Sequence, residues 1–214
     1  ESCRRDPGIQ ALLRQIPGKP EIVEVSDRLF PTLVSTENPQ GLLALARLPS
    51  IQLGKLLRSA SMLLVGCELQ DPGNLGTLLR SAEAFGVEGV LLTQTSVNPW
   101  NAKVVRASAG SIFRVPCLGG FESTELLRNL DRNGFRFAAA TPQAAIDFRE
   151  ADYHGRFALI LGNEGKGLSE EVLTRVQARI HIPMTAGIES LNVAVAASII
   201  LCEAARQRNK ASSP

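Results

Sequence analysis

The sequence predicts an α/β fold: a mostly parallel sheet flanked by helices over residues 58–214, with a small α+β segment over residues 1–57. Three observations predict it. Beyond about residue 60, short apolar runs alternate with stretches of helical periodicity, as strands and helices in turn would. The runs are apolar at consecutive positions, the pattern of strands covered on both faces. Three segments of small and polar residues each follow an apolar run, where an open parallel sheet holds its ligands.

Taken in order, the runs at 62–67 (MLLVGC), 89–93 (GVLLT), 113–117 (FRVPC), 135–139 (FRFAA), 157–162 (FALILG) and 178–182 (ARIHI) read as strands. Residues 75–85, 101–107, 121–132 and 170–176 read as the helices between them. In the first of these, Leu75, Leu78, Leu79, Ala82 and Phe85 make an apolar stripe at helical spacing. The last helix, 190–208, differs. Its portion 191–202 (LNVAVAASIILC) is apolar on nearly every side, and a helix apolar all round must be covered all round. In a domain this small that predicts a homodimer, the alternative being a central helix covered by its own chain. Ahead of the sheet, residues 9–16 read as a short helix and 42–46 as strand-like. The stretch 35–41 (STENPQG) carries loop punctuation.

The 214 residues fit one large domain, or one domain with a small appendage, and 44% hydrophobic content is ample for a core. A net charge of +2 excludes the strongly basic binders, so any nucleic-acid contact rests on local Arg and Lys. No apolar run approaches the roughly 20 residues of a membrane span. No signal-peptide pattern opens the chain, which starts on Glu1 as a trimmed form would. Cys3, Cys67, Cys117 and Cys202 are far apart, and His154 and His181 are the only histidines. That argues against a zinc site or a disulfide framework and for reduced, mostly buried cysteines in the cytoplasm.

The chemistry lies in the three small-residue segments. The first, 71–82 (DPGNLGTLLRSA), opens a helix, with Asn74, Thr77 and Arg80 at successive i+3 offsets away from the apolar stripe. Free amides, a side-chain amide, a hydroxyl and a guanidinium then gather at the helix start, which suits a phosphate or oxyanion. Alone, such a helix is better explained by capping and a solvated arginine; the other two segments favour function. The second segment, 158–168 (ALILGNEGKGL), fails the nucleoside-triphosphate loop pattern at Ile160 and Gly167, and it lacks the third glycine of the dinucleotide fingerprint. What remains is a loop that lets backbone approach a ligand closely, with Glu164 free to turn inward. The third runs from Ile182-Pro183-Met184 to Ser190-Leu191-Asn192-Val193. Ser190 reads as the helix N-cap, and Asn192 as an amide that needs a partner.

Together and in this order, the three segments resemble the signature motifs of the SpoU (TrmH-type) RNA ribose methyltransferases of the SPOUT superfamily. The resemblance is close over about residues 60–206 and loose before that. It implies a C-terminal trefoil knot, which no periodicity argument would suggest, and a dimer that brings two sites together. It implies S-adenosylmethionine as cofactor, bound by Gly162, Ile182 and Leu191 through backbone and apolar contact, with Leu161, Asn163, Met184 and Thr141 completing the pocket. It implies a catalytic set of Asn74, Arg80, Glu164, Ser190 and Asn192. The family's arginine at the position of Arg80 acts on the ribose 2′-hydroxyl with help from an RNA phosphate. Because a guanidinium keeps its proton, that role reads as charge stabilisation. The cofactor carries no phosphate, which agrees with the failed phosphate patterns, and the reaction calls for no metal.

The resemblance further implies a small RNA-binding domain ahead of the catalytic one. Residues 35–41 are similar to its closing part, so 1–57 reads as a partial RNA-recognition segment. Trp100 is a base-stacking candidate, although a lone Trp is more often packing. Residues 106–111 (RASAGS) are similar to a small-residue segment of the family and make Arg106 a candidate RNA contact. The leading expectation is methyl transfer from S-adenosylmethionine to a ribose 2′-hydroxyl in RNA, ribosomal before transfer RNA, by a homodimer without membrane or metal. The alternatives are a non-catalytic RNA-binding member of the same fold and a nucleotide-binding α/β enzyme of another class.

Overall fold

The computed structural model describes residues 6–18, 20–34, 36 and 39–210. The chain divides into two compact units, Glu1–Ser50 and Ile51–Pro214.

In the first unit, helix α1 (Pro7–Gln15) starts on Asp6, whose carboxylate accepts from the Gly8 and Ile9 amides. A single turn, α2 (Phe30–Leu33), follows. Residues 42–46, expected to be strand-like, are in no ladder, and Leu45 is 97% exposed. An apolar run becomes a strand only when another strand satisfies its backbone. Cys3 and, within the expected loop 35–41, Ser35, Glu37 and Asn38 lie outside the described residues.

The second unit runs α3 (Leu53–Ser59), β1 (Met62–Gly66), α4 (Pro72–Ala84), β2 (Gly89–Thr93), α5 (Ala102–Ala107), a 3-10 turn (Ser111–Phe113), β3 (Cys117–Phe121), α6 (Ser123–Arg132), β4 (Arg136–Ala140), β5 (Ile146–Asp147), β6 (Phe157–Leu161), α7 (Glu170–Leu173), β7 (Ala178–His181) and α8 (Val193–Lys210). Seven strands form one sheet in the order β3-β2-β1-β6-β4-β7-β5, and every pair is parallel. The expected α/β class is the observed one.

The consecutive apolar residues serve two cores. Leu64, Leu92 and Leu159 face one side, where Leu75, Leu78, Leu79, Ile200 and Leu201 of α4 and α8 cover them. Leu63, Leu91 and Ile160 face the other, under Leu56 of α3 and Leu126 and Leu130 of α6. Each leucine so buried contributes about 2 kcal/mol.

Four expectations shift. Residues 113–116 are not in a strand, and Cys117 only begins one. Pro116 has no N–H for a ladder, and Ser111–Phe113 turns tightly after Gly110 at φ 88. Ile112 and Val115 enter the core instead, and the strand comes later, at β3, where Gly119 and Gly120 disguise it. Helix α3 and the two-residue β5 are additions. Finally, α8 begins at Val193, three residues after Ser190. Among the described residues no helix is long and apolar enough to cross a membrane.

Candidate active site

β1, β6, β4 and β7 are neighbours in the sheet, so the segments that leave their carboxyl ends converge from distant parts of the sequence. Leu161 ends β6 and Gly162 follows it, Thr141 follows β4, and Ile182 follows β7. Thr141 and β7 are tied directly, the Thr141 amide donating to the Ile180 carbonyl at 2.9 Å.

From β1 the chain turns through Glu68, a non-glycine residue at φ 55. This left-handed geometry costs about 1 kcal/mol. Two bonds hold it: the Glu68 amide donates to the buried Thr93 Oγ1, and the Glu68 carbonyl accepts from Asn163 Nδ2, each at 2.9 Å. Asp71 then caps α4, with its Oδ1 accepting the Asn74 amide at 2.7 Å and Pro72 in the first turn. The start of α4 is therefore no open anion site, because a carboxylate already occupies it. Positive charge comes from Arg80, further along the helix. Its exposed guanidinium makes no hydrogen bond or ion pair with any described residue. Arg80 borders a shallow depression with Thr77, Ser81, Ala109 and Ser111. Glu83 at the same rim is held by Arg114. That hydrogen bond, with one from Ser111, pulls its carboxyl down to about 2.

The loop after β6 is organised by Asn163. Its Oδ1 accepts the Gly165 and Lys166 amides, both at 2.9 Å, while its backbone exchanges two hydrogen bonds with Gly167. The loop amides are thus occupied, so this is no phosphate cradle. Gly162 is required there: a Cβ would lie 2.5 Å from the Gly167 carbonyl carbon and 2.8 Å from the Leu168 nitrogen.

Three of the five candidate catalytic residues are joined. Asn192 Nδ2 donates to Asn74 Oδ1 at 2.8 Å, and Asn74 Nδ2 donates to Glu164 Oε1 at 3.0 Å. Asn192 also caps α8, its Oδ1 accepting the Ala194 amide at 2.9 Å and the Val195 amide at 3.3 Å. Ser190 is not the cap. It is exposed and outside the network. The two types cap equally well, so the sequence alone did not separate them. Arg80 also stands outside the network. A second tie between the helices had no sequence signal: Ser81 Oγ of α4 and Ser198 Oγ of α8 lie 2.7 Å apart.

Two pocket candidates adjoin the network along the chain, Asn163 beside Glu164 and Leu191 beside Asn192. Leu161 is buried; Thr141, Gly162, Asn163, Ile182 and Met184 are half-buried; Leu191 is exposed. This set fits S-adenosylmethionine: apolar side chains and close backbone for an adenine, and no phosphate site. Nearby Cys67 is pushed up to about 12 by burial and by Glu68, so it stays a thiol and no nucleophile. His154 and His181 are engaged elsewhere, with Asp152 and with the Ile146 carbonyl.

The profile of the SpoU rRNA Methylase family matches residues 61–202. The chain belongs to that family. All twelve candidate site residues fall inside the matched SpoU span. An uncharacterized tRNA/rRNA methyltransferase of Synechocystis is 40% identical over 194 residues, covering 89% of this chain and 69% of the relative. The 23S rRNA (guanosine(2553)-2′-O)-methyltransferase RlmP of Bacillus subtilis is 33% identical over 177 residues, covering 83% and 69%. Among solved structures, the SpoU methyltransferase AviRb of Streptomyces viridochromogenes matches with a TM-score of 0.86 at 26% identity, covering 96% of this chain and 80% of AviRb. AviRb in complex with its cofactor AdoMet matches with a TM-score of 0.72 at 25% identity, covering 89% and 81%.

Proposed function

We propose that this SpoU member methylates ribosomal RNA at a ribose 2′-hydroxyl. Its class, an RNA 2′-O-ribose methyltransferase that uses S-adenosylmethionine, follows from the family. The observation that carries the site assignment is the Asn192–Asn74–Glu164 chain at the strand ends, with Arg80, unpaired among the described residues, on the same helix as Asn74.

Leu161, Gly162, Ile182, Met184 and Leu191 hold the cofactor, with Thr141 and Asn163 shaping the pocket. S-adenosylmethionine supplies the methyl group. Arg80 takes an RNA phosphate and offsets the charge that develops on the ribose oxygen. Asn74 has one N–H bound to Glu164 and one left to orient the hydroxyl, and Asn192 fixes the direction of that amide. Ser190 lies at the entrance of α8 and serves substrate contact rather than capping.

The 23S rRNA activity named for the Bacillus relative supports ribosomal over transfer RNA. Residues 1–57 are read as part of an RNA-recognition segment, supported by the Synechocystis alignment reaching beyond the family span. The trefoil knot is supported by the strand order, with β6 inserted between the earlier β1 and β4. A homodimer is supported by α8. Ala194, Ala197, Ile200, Leu201 and Ala204 are buried, while Val195 and Ile199 on the opposite side are 47% and 37% exposed beside exposed Cys202. A second copy is the surface that would cover this stripe. A cytoplasmic location is supported by the RNA substrate and by the free thiols of Cys67 and Cys117.

The test is transfer of labelled methyl from S-adenosylmethionine to total RNA, followed by mapping. A single 2′-O-methylated nucleotide in ribosomal RNA is expected. Label in transfer RNA alone would refute the substrate, and cofactor binding without any transfer would favour the non-catalytic reading. Light scattering should give a dimer mass that Ile199→Glu halves. A monomeric wild type would refute the dimer.

A further inference from the structure

We propose that Phe113 is a stacking platform for an unpaired RNA base that flanks the methylated nucleotide. The proposal rests on the RNA methylation reading above and adds to it a substrate-contact residue outside the three motifs.

Phe113 is 67% exposed, yet the chain on either side of it is anchored. Ile112 and Val115 are buried, and the turn is closed by the Phe113 amide on the Gly110 carbonyl (3.1 Å) and the Val115 amide on the Ser111 carbonyl (2.8 Å). The ring is therefore held out by a fixed turn. Such exposure gains nothing for folding, because an apolar ring is stabilising only when removed from water. Beside it stands Trp100, with ring centroids 6.1 Å apart and planes tilted by 46°, so the ring is braced by a neighbour while most of it stays open to solvent.

The position points to the occupant. Ala109 and Ser111, in the residues just before Phe113, line the depression that holds Arg80. A nucleotide whose phosphate meets Arg80 would bring its neighbour within reach of the ring. The charge agrees. Arg114, next to Phe113, neutralises Glu83, and exposed Lys103 and Arg106 lie on α5 just after Trp100. Aromatic rings among cations suit a single-stranded nucleic acid, whose bases stack while its phosphates pair. A second copy of this chain would present the same cations and be repelled. The apolar stripe of α8 fits that role better.

Trp100 is the only tryptophan, so its emission reports on this patch alone. Titrating the full chain with a short single-stranded RNA of mixed sequence should quench that emission. Phe113→Ala should abolish the quenching and raise KM for substrate RNA about tenfold, with kcat and cofactor affinity unchanged. Phe113→Tyr should restore both. Unchanged quenching and KM in Phe113→Ala would overturn the proposal, as would conversion of a dimer to a monomer, which would make the ring an interface residue. Failure of the functional reading looks different, since wild-type protein would then transfer no methyl to RNA at all.

Discussion

The side-chain amide of Asn192 donates to that of Asn74 across 2.8 Å, and this bond joins the entrance of α8 to the first turn of α4. It leaves no choice of orientation. Asn192 Oδ1 must face the Ala194 and Val195 amides, so Nδ2 faces Asn74; Asn74 then presents Oδ1 to Asn192 and Nδ2 to Glu164. A helix cap thereby sets the direction of an amide at the proposed reacting centre. Asn192→Ala should lower kcat about a hundredfold with little change in KM, the scale expected when a reacting group is misplaced by about 1 Å. Asn74→Ala should do the same, and the double variant should be no worse than either alone. Additive losses in steady-state kinetics would show that the two act independently.

Arg80 has no partner among the described residues, so its removal should leave the fold intact. Arg80→Ala should keep its thermal midpoint and its calorimetric affinity for S-adenosylmethionine while transfer falls about 10²–10³-fold. Arg80→Lys should recover only part, because an ammonium lacks the planar fork. Near-normal transfer by a folded Arg80→Ala protein would remove the residue from the mechanism.

Gly162 stands where a methyl would meet the backbone of Gly167 at 2.5 Å. Backbone cannot rotate away as a side chain would, so the loop must open. Gly162→Ala should weaken S-adenosylmethionine binding about tenfold, in keeping with an overpacking cost of about 1–3 kcal/mol. The change should be seen by calorimetry, with methyl transfer recovered at saturating cofactor. Unaltered affinity would mean that the loop is not the cofactor's wall.

Acid stability should follow Glu122, which caps α6. The Thr124 hydroxyl, then the Thr124 and Glu125 amides, hydrogen-bond its carboxylate and hold it down to about 2, against an ordinary 4.5. The folded value lies below the unfolded one. Folding therefore favours the ionised form, and this stabilisation is complete above about pH 4.5 and lost as pH falls through about 2. Wild type should be more resistant to urea than Glu122→Gln at pH 6, and the gap should close towards pH 2. A gap independent of pH would assign the cap to shape rather than charge.

Much of this was legible because burial on both faces writes itself as consecutive apolar residues. Leu63 beside Leu64, and Leu159 beside Ile160, each serve one core, and those strands were found within a residue or so. The signal failed where backbone chemistry overrode side chains. Pro116 denied a ladder to an apolar run, and Gly119 and Gly120 interrupted the apolar residues of the next strand, Cys117, Leu118 and Phe121, so that no run marked it. Two-residue β5 was too short to show a period.

The sequence by itself determined the α/β class and marked the candidate site residues, because alternation of strand and helix is local and motif spacing is local too. Only the tertiary structure decided which of those residues meet. Placing β6 and β7 beside strands far earlier in the chain brings Glu164 and Asn192 to Asn74, from 90 and 118 residues away, and no periodicity encodes that. It also decided that Asn192, not Ser190, caps α8, that Asp71 fills the helix start expected to hold an anion, and that the exposed Arg80 pairs with no described residue. Hydrogen-bond valence is settled by geometry: each donor goes to the acceptor within reach, and what remains unpaired is what a substrate can use.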